Sequence, residues 1–77
     1  MRARAKVMSD MIFFYIPKAY EDEFTVGEVV GVIVDGVVIA GKVVKRGDTK
    51  WVAVSRKFKN VIKEGEEYEI KKFTSDV

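Results

Sequence analysis

A chain of 77 residues with a net charge of +2 is long enough for one small domain. It contains no histidine and no cysteine, which excludes disulfides, thiolate metal sites and the usual general base of an enzyme. Valine is the commonest residue while leucine and glutamine are absent, so the composition favours strands and is thermophile-like. Since no apolar stretch is long enough to span a membrane, we predict a cytoplasmic protein without a membrane partner.

The first part of the chain predicts two strands and a short helix. We expect the strands at 4–8 and 11–16, joined by a turn at Ser9-Asp10. Pro17 cannot continue a central strand but suits the first position of a helix, which we place at 18–24.

The helix is followed by a third strand and a tight hairpin. Tyr20 and Phe24 are four positions apart, and we expect both side chains to point inward. Gly27 permits the backbone conformation that ends this segment, and a third strand is predicted at 28–34. The Asp35-Gly36 pair lies between apolar residues and predicts a two-residue hairpin turn.

The rest of the chain predicts the same elements in the same order. Gly47-Asp48 is expected to form the turn of the second hairpin, and Phe58 and Ile62 should point inward from a second helix. The predicted positions are 37–45, 50–54 and 66–73 for the strands and 56–62 for the helix. Residues 74–77 are expected to form a frayed end.

The two halves align without a gap when one is shifted by 38 positions, which brings Gly27 onto Gly65. Because strand, turn, helix and glycine positions all agree, we predict an internal duplication with repeats at about 1–35 and 37–73. Six strands with two short helices close most economically as a small barrel. We therefore predict a mainly β fold in which residues 1–77 form a single six-stranded barrel domain.

The segment Ile16-Pro17-Lys18, a short helix and Val26-Gly27-Glu28-Val29-Val30 together resemble the AbrB-type half-barrel. Members of that family are DNA-binding homodimers in which each chain gives half of a swapped-hairpin, or cradle-loop, barrel. The resemblance implies that this chain carries both halves. The order of elements is also similar to that of the small uncharacterised domain of YdeI-type proteins, through Pro17, Asp35-Gly36 and Gly65-Glu66.

The two halves differ in charge. Residues 1–38 carry four basic and six acidic side chains, whereas residues 39–77 carry ten basic and six acidic ones. A basic half can face a polyanion, and the resemblance implies duplex DNA, bound weakly and in a salt-sensitive manner. Several of these residues are expected to cluster on a loop and a helix start. The candidate nucleic-acid-binding residues are Lys42, Lys45, Arg46, Lys50, Arg56, Lys57 and Lys59.

Apolar outward positions predict an alternative function, a homodimer or a module that binds a protein partner. Alternation along the second strand leaves Phe13 and Tyr15 outside the core, with Trp51 in the second half. The third strand turns Val29 and Ile33 outward, whereas the corresponding positions of the second half are charged. An apolar outer face on one of two equivalent strands predicts an interface.

No catalytic, metal or cofactor site is expected. A nucleophile needs a base within reach, and the usual one, histidine, is absent. Glu21, Asp22 and Glu23 are adjacent, but acids on a short exposed helix usually form a solvated surface. The glycines do not form a phosphate-binding loop. We therefore predict a non-enzymatic binding module.

Overall fold

The computed structural model describes residues 1–8 and 11–73, and over these residues it shows a mainly β protein with six strands. Two short 3₁₀ helices lie between strands, one in each half of the chain. The strands are β1 (Arg2–Val7), β2 (Met11–Tyr15), β3 (Val29–Val34), β4 (Val37–Arg46), β5 (Thr49–Ser55) and β6 (Glu67–Lys72). The first 3₁₀ helix is Lys18–Glu23 and the second is Arg56–Phe58.

The strands form a closed antiparallel barrel in the order β1-β2-β5-β4-β3-β6, and β6 pairs with β1. Closure pairs both sides of every strand and leaves no open edge among the described residues. The prediction of a small six-stranded barrel is therefore confirmed. No helix in the described part of the chain is long and apolar enough to cross a membrane.

The strand pairing repeats along the chain. Ala5 lies opposite Phe14 in the β1–β2 hairpin, and Val43 lies opposite Val52, each 38 positions further on, in the β4–β5 hairpin. Phe14 and Val52 also lie opposite each other in the ladder that joins β2 to β5. Exchanging the two halves of the chain therefore leaves this register unchanged.

Apolar side chains from both halves fill the barrel. Those that are fully buried include Phe14, Ile12, Ile16, Ile62, Ile70, Val30, Val32, Val43, Val52 and Val54. No polar or charged side chain is buried within the described residues. Small residues in the wall make room for this core: Ala3 and Ala5 face it, and a Cβ atom added at Gly41 would lie 2.7 Å from a methyl group of Val52.

Both helices differ from those expected. They are of the 3₁₀ type, and the second ends at Phe58 rather than at residue 62. Phe24 is buried as predicted, but Tyr20 is 39% exposed. A 3₁₀ helix has three residues per turn, so side chains four positions apart do not share a face. In the second half Ile62 is buried beyond the helix, while the partly buried Phe58 packs against the core.

The strand bounds agree with the prediction to within two residues, and the hairpin between β3 and β4 is confirmed. Asp35 and Gly36 have φ angles of 49° and 81°, the left-handed values that a two-residue turn between these strands requires. β1 begins at Arg2, earlier than expected, because this residue already pairs with β6. The predicted turn at Ser9-Asp10 and the predicted frayed end at 74–77 lie outside the described residues.

Two lysines of the second half hold the first 3₁₀ helix against the barrel. Lys50 Nζ donates hydrogen bonds to the carbonyl oxygens of Glu21 and Phe24, at 2.9 and 2.7 Å. Lys72 Nζ donates to the carbonyl oxygen of Glu23. The last carbonyl groups of a helix have no partner within the helix, so a cation at this end satisfies them and is electrostatically favourable.

Replacing Lys50 with methionine should lower the free energy of unfolding by about 1–3 kcal/mol, because the partly buried carbonyl group of Phe24 loses its donor and that of Glu21 keeps only the backbone N–H of Phe24. Lys45→Met is the matched control, since Lys45 lies opposite Lys50 but is exposed, and its effect should stay within about 0.5 kcal/mol. Urea unfolding followed by circular dichroism measures both. Equal unfolding midpoints for the two variants would contradict this role of Lys50.

Replacing Gly41 with alanine should destabilise the barrel by about 1–3 kcal/mol, because the new methyl group meets Val52 and Val54 at 2.7 and 3.1 Å in a packed interior. The neighbouring change Ala40→Val adds more atoms but places them on the exposed side of β4, so we expect little effect. Thermal unfolding distinguishes the two variants. A Gly41→Ala protein as stable as the wild type would show that the wall does not need a glycine there.

Candidate nucleic-acid interface

Four neighbouring strands, β1, β2, β5 and β4, share an outer surface that we call the basic face. Successive side chains of a strand point to opposite sides of the sheet, and Ala5, Phe14, Val52 and Val43 point into the core. The alternate positions of these strands face outward. Among the described ones, five are Arg or Lys and none is Asp or Glu. The five basic residues are Arg2, Arg4, Lys6, Lys42 and Arg46.

Aromatic rings occupy the centre of the basic face. Tyr15 on β2 lies directly opposite Trp51 on β5, and their ring centroids are 5.5 Å apart in an edge-to-face arrangement. Phe13 lies 6.1 Å from Trp51 in a similar arrangement. Tyr15 is 43% exposed and Trp51 is partly buried. The centre of the face therefore offers aromatic surface to a ligand.

Phe13 points outward but is only 8% exposed, because Arg46 covers it. The Cζ atom of Arg46 lies 5.1 Å from the centroid of the Phe13 ring. Nη1 of the same guanidinium lies 3.4 Å from the Met8 sulfur at the end of the first hairpin. Phe13 therefore packs beneath Arg46 and is not accessible to a ligand.

Lysines stand on both sides of this aromatic centre. Lys6 on β1 lies opposite Phe13, which lies opposite Ala53, which in turn lies opposite Lys42 on β4. This row crosses three strand spacings, half of the six-stranded ring, so Lys6 and Lys42 lie at the two borders of the basic face, on opposite flanks of the barrel. Among the residues that the structure describes, neither lysine has an ion-pair or hydrogen-bond partner.

The arginines of β1 are engaged at the border of the basic face. Arg2 Nε lies 3.7 Å and Arg4 Nη2 lies 3.3 Å from the carboxylate of Glu67 on β6. Arg4 Nη1 also donates a hydrogen bond of 2.6 Å to the carbonyl oxygen of Gly65. These contacts fix Arg4 and neutralise part of its charge, which leaves Lys6, Lys42 and Arg46 as the main cations of the face.

A cleft of about 360 Å³ opens beside the aromatic centre. Tyr15 and Trp51 line one side of it, Arg4 and Lys6 line another, and the loop at Glu64-Gly65 borders it. The loop is held in place by two backbone hydrogen bonds of 2.9 Å, from Gly65 N to Ala5 O and from Ala5 N to Glu66 O. The cleft is therefore part of the rigid wall of the barrel.

The structure separates the basic residues that the sequence singled out. Lys42 and Arg46 lie on the basic face, whereas Lys50 binds the first 3₁₀ helix. Lys45 is exposed near the start of β5, and the remaining three lie beyond its other end, about 20 Å away along the strand. Those three are Arg56, Lys57 and Lys59. The basic residues expected to cluster on a loop and at a helix start are therefore separated by the length of β5.

The apolar candidates are divided as well. Phe13, Tyr15 and Trp51 lie together on the basic face. Val29 and Ile33 lie on β3, which is three strands away from β2 around the ring and so on the opposite side of the barrel. Val29 is 49% exposed and Ile33 is partly buried. These five residues therefore belong to two separate surfaces.

Arg4 and Lys6 were not among the sequence candidates, although the chain carries a signal for them. Residues 2–6 read Arg-Ala-Arg-Ala-Lys, so a basic residue recurs at every second position. With alanine facing the core, this alternation places a row of cations on one side of a strand. The first half of the chain, though acidic as a whole, thus contributes to the basic face.

The described residues contain no group of acidic side chains arranged to hold a metal ion. Comparison of the chain with protein-family models, with curated proteins and with solved structures gave no match. The resemblance to AbrB-type and YdeI-type proteins therefore stays a prediction.

Proposed function

We propose that this protein is a non-enzymatic module that binds nucleic acid through its basic face. The observation that carries the proposal is the charge of that face: five outward basic side chains and no acidic one on the described parts of four adjacent strands. Clustered cations of this kind attract the phosphate backbone of nucleic acids through a salt-dependent term. Aromatic rings between the cations are typical of surfaces that also contact bases.

The opposite side of the barrel has a different character. The outward positions of β6 are Glu67, Glu69 and Lys71, and those of β3 are Val29, Gly31 and Ile33. A polyanion approaching the molecule therefore meets a cluster of cations on β1, β2, β5 and β4, and no such cluster among the outward positions of β3 and β6. This asymmetry favours one binding surface over a charge spread evenly around the protein.

Both halves of the chain supply the proposed contacts. Lys6 comes from the first half, while Lys42 and Arg46 come from the second. Three phosphate contacts predict that the logarithm of the association constant falls with the logarithm of salt concentration with a slope of about −2 to −3. A slope of this size means that the affinity falls as salt is added and is weak at physiological salt. The sequence likewise predicts weak, salt-sensitive binding.

We further propose that the barrel is an AbrB-like, internally duplicated form. Support comes from the register, in which the Ala5–Phe14 pair and the Val43–Val52 pair correspond across a shift of 38 residues. Two copies of one strand-strand-helix-strand unit would produce this pairing, because equivalent strands would keep equivalent partners. The lysine contacts to the first 3₁₀ helix have no described counterpart at the second, so on this view the copies have diverged at their helices.

The double change Lys6→Glu/Lys42→Glu should weaken binding of a DNA oligonucleotide by about tenfold or more at low salt, because it reverses two of the three main cations. The salt slope should also decrease in magnitude by about 1.4, since each contact to a single strand contributes about 0.7. Fluorescence anisotropy of a labelled 15-nucleotide strand at several salt concentrations measures both effects.

The matched control is Lys59→Glu/Lys71→Glu, which changes the net charge equally but alters exposed residues outside the basic face. At about 0.1 M salt, where the screening length is about 10 Å, we expect this control to bind within about threefold of the wild type, since its charges lie outside the basic face. If both double variants lose the same affinity, total charge governs binding and the basic face does not. If the wild type fails to bind at low salt, the proposed function is wrong.

A second function, self-association, is favoured by the outer surface of β3. Around it, Val29 on β3, Val38 on the neighbouring β4 and Phe73 just after β6 are 49%, 51% and 56% exposed. Val38 and Phe73 converge over Gly31, where an added Cβ atom would lie 2.8 and 3.2 Å from their side chains. Lys42 and Glu69 border this patch with opposite charges, and a second copy related by a twofold axis could pair Lys42 with Glu69, whose partner within the chain is the N-terminal amine of Met1 at 3.4 Å.

The double change Val29→Glu/Ile33→Lys gives β3 the charged residues found at the corresponding positions of β6. If β3 forms a homodimer interface, the wild type should sediment as a dimer at high concentration and this variant as a monomer. Sedimentation equilibrium between low and high concentration decides the question. A wild type that stays monomeric throughout would remove this second function.

A further inference from the structure

The cleft beside Tyr15 and Trp51 has the size and chemistry of a site for a planar group. Its volume is about 360 Å³, and both aromatic rings line it. Arg4 and Lys6 also line it, together with one acidic residue, Glu64, so one site combines an aromatic surface with a net positive charge. Flat heteroaromatic groups that carry a nearby phosphate satisfy both features.

The arrangement of the rings leaves room for stacking. Tyr15 and Trp51 meet at an interplanar angle of 68°, so they are not stacked on each other. Tyr15 is the more exposed of the pair, at 43%. Edge-to-face packing against Trp51 restricts the Tyr15 ring, which lowers the entropy lost when a ligand binds to it.

The two basic side chains of the cleft have different roles. Arg4 donates a hydrogen bond of 2.6 Å to Gly65 O and lies 3.3 Å from the Glu67 carboxylate, so we assign it to the side of the cleft rather than to ligand binding. Lys6 makes no ion pair within the described residues and lies opposite the aromatic Phe13. Its flexible ammonium group is therefore available to a phosphate next to the aromatic surface.

We infer that this cleft binds one unpaired base of a single-stranded nucleic acid, stacked on the Tyr15 ring with its edge toward Trp51, and with the adjoining phosphate at Lys6. This inference rests on the proposed function. Bases in a duplex stack on one another and would have to be unpaired and turned out before they could enter, at a considerable energetic cost. In a single strand the base is already accessible, and stacking on a protein ring accepts any base. The cleft therefore distinguishes single strands from duplexes, whereas the lysines alone bind both.

Trp51 is the chain's one tryptophan, so its fluorescence reports directly on the cleft. Three probes of equal length separate the contributions: a 15-nucleotide oligothymidylate, a 15-unit abasic phosphodiester without bases, and a 15-base-pair duplex. At low salt we expect the oligothymidylate to quench Trp51 and to bind about tenfold more tightly than the abasic strand. The abasic strand and the duplex should bind without comparable quenching. An oligouridylate that quenches in the same way also supports the inference, and its affinity relative to oligodeoxyuridylate, which carries the same base, shows which sugar the cleft prefers.

Variants at Tyr15 test the same point with Trp51 intact. Tyr15→Ala should reduce affinity for oligothymidylate to the level of the abasic strand, while Tyr15→Phe, which keeps the ring, should behave as the wild type. Tyr20→Ala is the matched control, since this tyrosine is similarly exposed, at 39%, but lies on the first 3₁₀ helix outside the cleft. Circular dichroism establishes that each variant is folded.

The outcomes separate the two proposals. Equal affinity for oligothymidylate and the abasic strand, or equal quenching by the duplex, overturns the base site but leaves nucleic-acid binding by the basic face intact. Loss of affinity in Tyr20→Ala equal to that in Tyr15→Ala also overturns the base site. Failure of all three probes to bind at low salt overturns the proposed function and the base site with it.

Discussion

The pairing of β1 with β6 closes the sheet, and the character of the whole surface depends on that closure. Backbone hydrogen bonds of 2.9 Å link Ala5 to Gly65 and Glu66, and one of 2.7 Å links Ile70 N to Met1 O. An open six-stranded sheet would expose two edges and two faces, whereas the closed ring has one inside and one outside. Every strand must then devote alternate residues to the core, which accounts for the alternating alanines of β1.

Closure also explains how one small barrel can carry two unlike surfaces. The core tolerates little variation, because its side chains touch one another across the ring. Outward positions are free of that constraint, so the strand that presents Val29 and Ile33 has a counterpart that presents Glu67 and Lys71. The cations of the basic face and the apolar or mixed-charge side chains of β3 and β6 are therefore different outward residues on one common backbone.

Local sequence features predicted most of the architecture. Alternating apolar residues identified all six strands to within two residues, and Asp35-Gly36 identified a turn, since both signals act over neighbouring positions. The helices were less predictable. Their short length made the choice between 3₁₀ and α geometry depend on tertiary contacts, such as the lysine that holds the carbonyl groups of Glu21 and Phe24.

The candidate site was predicted only in part, because it is assembled from residues far apart in the chain. Nothing near Lys6 in the sequence shows that it shares a row with Lys42; that follows from the pairing of β2 with β5. The role of Lys50 likewise depends on a segment about 30 residues earlier, which a count of charges along the chain does not reveal. Summing charge by halves of the sequence therefore located some of the cations but not the surface they form.

The two-residue turn between β3 and β4 has a consequence for the order in which the chain can connect its strands. In the repeated pairing, the β3–β4 ladder corresponds to the β1–β6 ladder, where the N-terminal amine of Met1 lies 3.2 Å from the carbonyl oxygen of Ile70. A short linker from Phe73 to Met1, combined with a cut at Asp35-Gly36, would produce a circular permutant with the order of its halves reversed. Because the core contacts would be conserved, the same barrel should form from a chain that starts at residue 36.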